Sequence, residues 1–316
     1  MRSSSHDDQR AWQALDKVLH ASLTEQRRAR RWGIFFRLLT FAYLLAAFLL
    51  FRPGGSGPVV PPGGHTAVVR VEGVIADGER ASADHIVTGL QRAFEQENSR
   101  AVLLVINSPG GSPVQADYVY NEMLRLQAEH PGTPLYAVIG DMGASGAYYI
   151  AAAASRIYAA PASLVGSIGV VSGSFGFVDA MERLGVERRL FTAGEHKGLL
   201  DPFSPLREEE VSFWEQVLER THQQFIARVR EGRGDRLVDA PELFSGLVWS
   251  GEQALELGLV DGFASPGQVA REVVGTEHIV DFTVRPAPLE FLASVLGTAV
   301  GKGVAHALQG SGSPLR

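Results

Sequence analysis

The chain has 316 residues with a formal net charge of −6, and 45% of the residues are hydrophobic, which is typical of globular domains rather than disordered chains. It contains no cysteine, which excludes disulfides, thiol catalysis and cysteine-ligated metals. The acidic balance argues against a nucleic-acid partner, because no basic run occurs beyond the N-terminal segment.

The first predicted element is an apolar stretch at residues 33–51, which follows a basic segment at residues 1–32. As a helix it would extend about 28 Å, close to the thickness of the hydrocarbon core of a bilayer. A buried core helix fits less well because residues 38–51 carry no charge, and a cleaved signal peptide fits less well because no small-x-small site follows. Since the arginines between 27 and 31 adjoin the stretch, the positive-inside rule predicts a cytoplasmic N-terminus and an extracytoplasmic remainder.

Residues 52–65 are rich in proline and glycine and are interpreted as a linker, and beyond them strands and helices alternate. Strands are predicted at 66–75, 101–107, 135–140 and 186–192, with an extended segment at 165–175. Helices are predicted at 83–97, 113–129, 144–154, 177–184, 208–229 and 251–258. This alternation predicts an α/β domain at 66–287 with a mainly parallel sheet covered by helices. Residues 288–316 are expected to form a docking or interfacial helix and a flexible tail, a second membrane span being the alternative.

Two glycine-rich turns carry candidate chemistry. The sequence NSPGGS at 107–112 lies between a predicted strand and a predicted helix, where backbone N–H groups could stabilise an oxyanion, although an ordinary turn has the same composition. The sequence GASGA at 143–147 places Ser145 among small residues at a helix start. Ser145 is therefore either an accessible nucleophile or a small residue for close helix packing.

A serine nucleophile needs a base, and Lys197 is the candidate. A lysine can act as a base where burial favours its neutral form, but a solvated surface lysine is the commoner case. The usual base is histidine, and none lies between Ser145 and His196, which is adjacent to the lysine.

Together and in this order, the segments at 107–112, 141–150, 165–171 and 197–203 resemble the signal peptide peptidase A (SppA) family of serine-lysine membrane peptidases, as does WSGEQALELGLVD at 249–261. The resemblance covers roughly residues 66–263, and the single predicted span is similar to the short, non-duplicated form of the family. The chain departs from the family pattern after Lys197, where GLLD replaces the more usual Ser-Ala.

The resemblance implies a ClpP/crotonase-like fold and a role for each of five residues. Ser145 would be the nucleophile, and Lys197 the general base and then the acid that protonates the leaving amine. The backbone N–H groups of Gly111 and Gly146 would form the oxyanion hole, and the Ser167 hydroxyl would orient the lysine amine. Because serine and lysine meet across a subunit interface in short members of the family, the resemblance also implies a homo-oligomer with its active sites between subunits.

We therefore expect a serine endopeptidase anchored in the bilayer of a bacterial inner (plasma) membrane, with a periplasmic or otherwise extracytoplasmic catalytic domain. Its expected substrates are remnants of cleaved signal peptides and other short apolar peptides. No metal or cofactor is expected, because neither a His-Glu-x-x-His pattern nor a Walker A loop occurs.

Two other functions stay open at this point. The first is an α/β-hydrolase-type esterase with a Ser-His-acid triad, because GASGA nearly matches G-x-S-x-G. Four histidines are available for that triad, namely His196, His222, His278 and His306. The second is a catalytically silent membrane scaffold that uses the same fold for assembly.

Overall fold

The computed structural model describes residues 30–48 and 63–285. The predicted basic segment up to residue 29, most of the linker and the C-terminal helix and tail lie outside the described residues. The predicted membrane span corresponds to helix α1 (Arg30–Phe48), and its last residues, 49–51, also fall outside. With 19 residues and a mean hydropathy of 1.3, α1 is long and apolar enough to cross a membrane by length and composition.

Residues 63–285 form an α/β domain. Its strands, as far as the structure describes the chain, are β1 (His65–Glu72), β2 (Ser99–Ser108), β3 (Leu135–Ala144), β4 (Arg156–Ala159), β5 (Leu164–Gly166), β6 (Val248–Ser250), β7 (Gly262–Phe263) and β8 (Ile279–Asp281). Its helices are α2 (Ala83–Phe94), α3 (Pro113–Glu129), α4 (Gly146–Ala151), α5 (Val178–Leu184), α6 (Glu208–Arg233), α7 (Gly251–Glu256) and α8 (Pro266–Gln268), the last continuing as a π-helical segment (Val269–Val274).

The strands form one sheet in the order β6-β5-β3-β2-β1-β8, in which every pair is parallel except β5 with β6. Strand β3 is the branch point, because its first half pairs with β4 and its last residues pair with β5. Side chains on the central strands alternate between two buried faces, so that Leu104 packs in the larger core and Leu103 in the smaller one. A sheet buried on both faces explains the continuous apolar runs in its strands. The predicted α/β fold with a mainly parallel sheet is confirmed.

The observed helices and strands agree with the predicted ones where the sequence pattern extends over many residues. Helix α3 has the predicted bounds, with Pro113 in its first turn and the Ser112 side chain accepting from the Gln115 N–H as N-cap. The predicted strand at 186–192 is wrong: these residues are exposed and pair with no strand of the described chain. Val186, Phe191 and Thr192 favour an extended backbone, but a strand forms only beside an available sheet edge. Strands β4, β6, β7 and β8 were not predicted, since two to four residues carry no readable period.

A buried ion pair fixes the C-terminal end of α6 against the loop before β7. The Arg233 side chain is fully buried and donates to both carboxylate oxygens of Asp261, at 2.8 and 2.9 Å. The Asp261 carboxylate also accepts from the backbone N–H of Ile157 at 2.7 Å, and the Tyr148 hydroxyl donates to the carbonyl of Leu259 at 2.7 Å. Through the segment from Leu259 to Asp261, these bonds connect α6 with α4, and both helices border the groove described next.

Candidate active site

Ser145 occupies a strained turn between β3 and α4. Its backbone has φ 53° and ψ −127°, a positive-φ conformation that costs a non-glycine residue on the order of 1–2 kcal/mol. The conformation is held by the Ser145 N–H, which donates to the carbonyl of Gly166 at 2.8 Å, and by the Ser145 carbonyl, which accepts from the Tyr149 N–H at 3.0 Å. The Ser145 side chain makes no capping bond to α4, so its hydroxyl remains available for chemistry.

The turn at 107–112 packs directly against this serine. A Cβ on Gly110 would lie 2.7 Å from the Cβ of Ser145 and 2.6 Å from the N of Gly146, so only glycine fits there. The neighbouring Gly111 is held by Ile75, whose N–H donates to the Gly110 carbonyl at 2.9 Å. A Cβ on Gly146 would lie 3.2 Å from the N of Gly111, which puts the two backbones side by side next to the serine. As the first residue of α4, Gly146 has no intrahelical acceptor for its N–H.

A groove of about 1060 Å³ contains the serine and both glycines. Its walls are the first turns of α3, the start of α4, the loop after β5, the second half of α6 and the turn before β6. The lining residues are Gly111, Pro113, Val114, Asp117, Tyr118, Ser145, Gly146, Tyr149, Ser167, Gly169, Val170, Val171, Thr221, Gln224, Phe225, Ala227, Arg228, Glu231, Ser245 and Gly246. Four of the five predicted site residues, Ser145, Gly111, Gly146 and Ser167, therefore share one groove.

Lys197 is the predicted residue that the single chain does not bring to this groove. It is absent from the lining and is exposed, in a stretch from 169 to 209 of which no residue is buried. The scarcity of lysine relative to arginine in the sequence singles out Lys197. The chain has three lysines, Lys17, Lys197 and Lys302, against 26 arginines, so Lys197 is the only lysine of the described residues. Arginine does not lose its proton in proteins, whereas lysine can.

The same stretch exposes large apolar side chains. Val171 is 92% exposed and Phe191 is 90% exposed. Further exposed apolar residues of this stretch are Phe175, Phe177, Leu184, Val186, Leu190, Phe203 and Leu206. A contiguous run of sequence with this much exposed apolar surface is typical of an interaction surface rather than of a solvated loop.

No histidine lines the groove in the described part of the chain. His196 and His278 are exposed, and His306 lies outside the described residues. His222 comes nearest by contact, because its Nε2 lies 3.1 Å from the carbonyl oxygen of Ile168, next to Ser167. A bond to a carbonyl requires that Nε2 carry the hydrogen, so this nitrogen is not free to accept a proton.

Sequence reasoning missed a polar network in the groove. The Tyr149 hydroxyl donates to Asp117 at 2.7 Å, and Arg228 donates to the same carboxylate oxygen at 3.3 Å. Burial, together with the bond to Asp117, raises the pKa of Tyr149 to about 12, so the hydroxyl stays a donor at neutral pH. Asp117 and Arg228 are 111 positions apart, and no local pattern signals such a contact.

A serine on a strained strand-to-helix turn, beside the backbones of two glycines and lining a groove, is suited to nucleophilic catalysis once a base is supplied. A family model described as peptidase family S49 matches residues 127–275. A candidate protease of Synechocystis sp., slr0021, is 31% identical over 195 residues, which are 62% of this chain and 68% of that protein. The chain belongs to this peptidase family, in the short, single-domain form of the SppA type, as its motifs predicted.

Two further relatives are much longer than the chain. The chloroplastic serine protease SPPA of Arabidopsis thaliana is 30% identical over 214 residues, covering 67% of this chain and 30% of that protein. A protein of Brucella melitensis named Na(+)/H(+) antiporter NhaA is 41% identical over 213 residues, covering 66% of this chain. The match spans only 29% of the length of that Brucella protein.

Proposed function

We propose that this chain is a membrane-anchored serine endopeptidase in which Ser145 and Lys197 form the catalytic dyad. The observation that carries the proposal is the shared groove, which Ser145 lines together with Gly111, Gly146 and Ser167. Membership of the S49 family supports peptide hydrolysis as the reaction.

The site residues would act in two half-reactions. The Ser145 Oγ attacks the peptide carbonyl carbon while the neutral Lys197 amine takes the hydroxyl proton, and the N–H groups of Gly111 and Gly146 donate to the resulting oxyanion. Collapse of the intermediate breaks the C–N bond, and the lysine ammonium gives its proton to the leaving amine. The same lysine then deprotonates a water that attacks the acyl carbon. As the bond from that carbon to Ser145 Oγ breaks, the lysine ammonium returns the proton to Oγ, which frees Ser145 and the product acid. Throughout, the Ser167 hydroxyl would hold the lysine amine in place.

In this proposal the lysine comes from a neighbouring copy of the chain. Lys197 is exposed and lies in a stretch with large exposed apolar side chains, such as Phe191. Packing this stretch against a second copy would bury the apolar surface and carry the lysine towards the partner's groove. Removing the amine from water there would favour its neutral form, which is the form that a base requires.

The proposed substrates are cleaved signal peptides and other short apolar peptides released beside the membrane. Helix α1 supports this assignment as a candidate anchor, because it would keep the domain at the bilayer from which such peptides emerge. The basic segment before α1 supports a cytoplasmic N-terminus, and with it a periplasmic or extracytoplasmic domain.

Mixed assemblies test both the dyad and its division between chains. Full-length S145A and K197A, purified in detergent, should each lack cleavage of a fluorogenic apolar peptide. Assemblies that contain both variants should regain part of the activity, because some interfaces then pair an intact Ser145 with an intact Lys197. Assemblies of S145A with the S145A/K197A double variant provide the control and should stay inactive. Absence of recovery in assemblies of normal size would contradict the shared site, and cleavage by S145A would overturn Ser145 as nucleophile.

A catalytically silent scaffold makes a different prediction. It would form no covalent adduct with a serine-reactive acylating inhibitor, whereas the proposed peptidase should gain the mass of one acyl group per reactive Ser145. Intact-mass measurement of the wild type and of S145A separates the two functions.

A further inference from the structure

Ser167 lies directly after β5, and hydrogen bonds hold the backbone of three consecutive residues there, Gly166, Ser167 and Ile168. The carbonyl of Gly166 accepts from the Ser145 N–H at 2.8 Å, and the Ser167 N–H donates to the carbonyl of Leu247 at 2.7 Å. Ser167 itself has φ 50°, a left-handed backbone that is disfavoured for a residue other than glycine. Such a conformation persists only where surrounding bonds over-determine it.

The third bond comes from α6. His222 is partly buried, and its Nε2 lies 3.1 Å from the carbonyl oxygen of Ile168, a residue with no exposed surface. Because a carbonyl only accepts, Nε2 carries a hydrogen and donates it, in the neutral and in the protonated imidazole alike. The preceding residue on α6, Thr221, lines the groove, so the bond joins the groove wall to the loop.

We propose that His222 is a positioning residue that clamps the Ile168–Gly169 peptide, directly after Ser167, and thereby keeps the Ser167 hydroxyl in its working orientation. The inference rests on the proposed function of Ser167 and Lys197. The Ile168 carbonyl belongs to the residue directly after the left-handed Ser167, so its orientation limits how far Ser167 can relax. Without the donor, this peptide is free to rotate, and Ser167 no longer holds the amine of the general base, Lys197, at a fixed place.

A clamp acts on the chemical step and leaves the rest of the groove in place. The Gly111 and Gly146 backbones and the Tyr149–Asp117 bond lie on other elements and do not depend on His222. Loss of the clamp should therefore lower kcat and alter its pH dependence while KM changes little. A merely structural tie would lower the melting temperature and leave kcat and the pH profile unchanged.

The test compares H222Q with H222N in the full-length protein. The glutamine amide nitrogen can take the place of imidazole Nε2, whereas the shorter asparagine amide cannot reach the Ile168 carbonyl. We expect H222N to lose about 10-fold in kcat at a KM within about 2-fold of the wild type, in line with the loss of one hydrogen bond. We expect H222Q to recover most of that loss, and the H222N pH–kcat profile to shift while that of H222Q matches the wild type. H222F, which has no donor, should behave as H222N does.

Three results would overturn the clamp. The first is an H222N enzyme with the kcat and pH profile of the wild type. The second is an equal loss in H222Q and H222N, which would mean that the donor is not what matters. The third is complete inactivity of H222Q, comparable to S145A, which would make His222 the base. A different result would contradict the proposed Ser145–Lys197 dyad itself, namely peptide cleavage by the single variant S145A or by the single variant K197A.

Discussion

The Arg233 guanidinium donates to both carboxylate oxygens of Asp261 across 28 positions of sequence, and none of the arginine side chain is exposed. An arginine buried to this extent needs a partner, because an unpaired charge in the interior costs several kcal/mol. The pair ties the end of α6, which forms one wall of the groove, to the loop before β7. The stability of the fold and the shape of the groove therefore depend on the same contact.

Removing one partner of this pair should destabilise the domain strongly. We expect R233M to lower the free energy of unfolding by about 3 kcal/mol or more, since it leaves the Asp261 carboxylate without its main partner. Denaturant unfolding followed by circular dichroism measures this change. R125M is the matched control, because Arg125 pairs with Glu122 and Glu129 on an exposed helix face, and its loss should lie within experimental error. An equal loss in both variants would contradict the assignment.

The same pair predicts a loss of stability in acid. Burial by itself would raise the pKa of the Asp261 carboxyl, but the hydrogen bonds from Arg233 and from the Ile157 N–H outweigh it and hold the pKa below the ordinary value. A carboxyl whose folded-state pKa is depressed contributes stability above its unfolded pKa of about 3.9, and this contribution is lost as the pH falls through the folded pKa. Unfolding free energies measured from pH 6 downwards should therefore fall more steeply for the wild type than for D261N. Parallel curves would show that the Asp261 carboxyl does not contribute.

Gly110 should be irreplaceable for activity because its missing Cβ leaves room for Ser145. In G110A the new methyl would meet the Cβ of Ser145 at 2.7 Å and the N of Gly146 at 2.6 Å, and the backbone would also remain at φ 95°. We expect kcat/KM for peptide cleavage to fall by about 100-fold or more, as on loss of an oxyanion-hole donor. G132A is the control, since nothing lies within 4 Å of a Cβ there, and it should retain full activity.

The lysine and its neighbouring histidine can be told apart by substitution. K197A should lower kcat by roughly 10²–10⁴-fold, the usual contribution of a general base, and K197R should be equally inactive because arginine keeps its proton. H196A should retain most of the activity, since His196 is exposed and is not one of the groove-lining residues. Initial rates of the three variants with the same apolar peptide show which residue is the general base. An inactive H196A together with an active K197A would assign that role to His196.

The exposed apolar stretch should govern assembly. F191S and V171S remove side chains that are 90% and 92% exposed, so neither should lower the stability of a single domain. If a second copy covers them, both variants should shift the mass measured by light scattering towards the monomer, and F191S, whose side chain does not line the groove, should lose activity together with assembly. V238S is the control, because Val238 is also exposed, at 49%, but lies outside the stretch. Unchanged mass in F191S and V171S would remove the basis for the shared site.

Parts of the site were readable from sequence because they depend on neighbouring residues. A buried strand that ends in Gly-Ala-Ser-Gly predicts a strand-to-helix turn, and the structure places Ser145 there. The turn at 107–112 follows the adjacent parallel strand, and parallel strands carry their carboxyl ends to the same edge of a sheet. The family resemblance implied that Gly111 and Gly146 share one site, and the pairing of β2 with β3 in the structure brings the two turns together.

Other parts depend on contacts between distant residues. The His222–Ile168 bond joins residues 54 positions apart, and the Tyr149–Asp117–Arg228 network joins three helices. A segment becomes a strand only where a sheet edge is available, and no local sequence pattern expresses that. This is why β6 pairs with β5 as an antiparallel strand whereas residues 186–192 form no strand.

The sequence by itself determined the family, the α/β fold and the residue types of the site, because strand and helix periods and the glycine turns are local properties of the backbone. Only the tertiary structure decided which of those residues meet: Ser145, Gly111, Gly146 and Ser167 line one groove, while Lys197 stays exposed on a stretch without buried residues. The physical reason is that tertiary contacts form where apolar surface can be buried, and among the residues that the structure describes nothing buries the surface around Lys197.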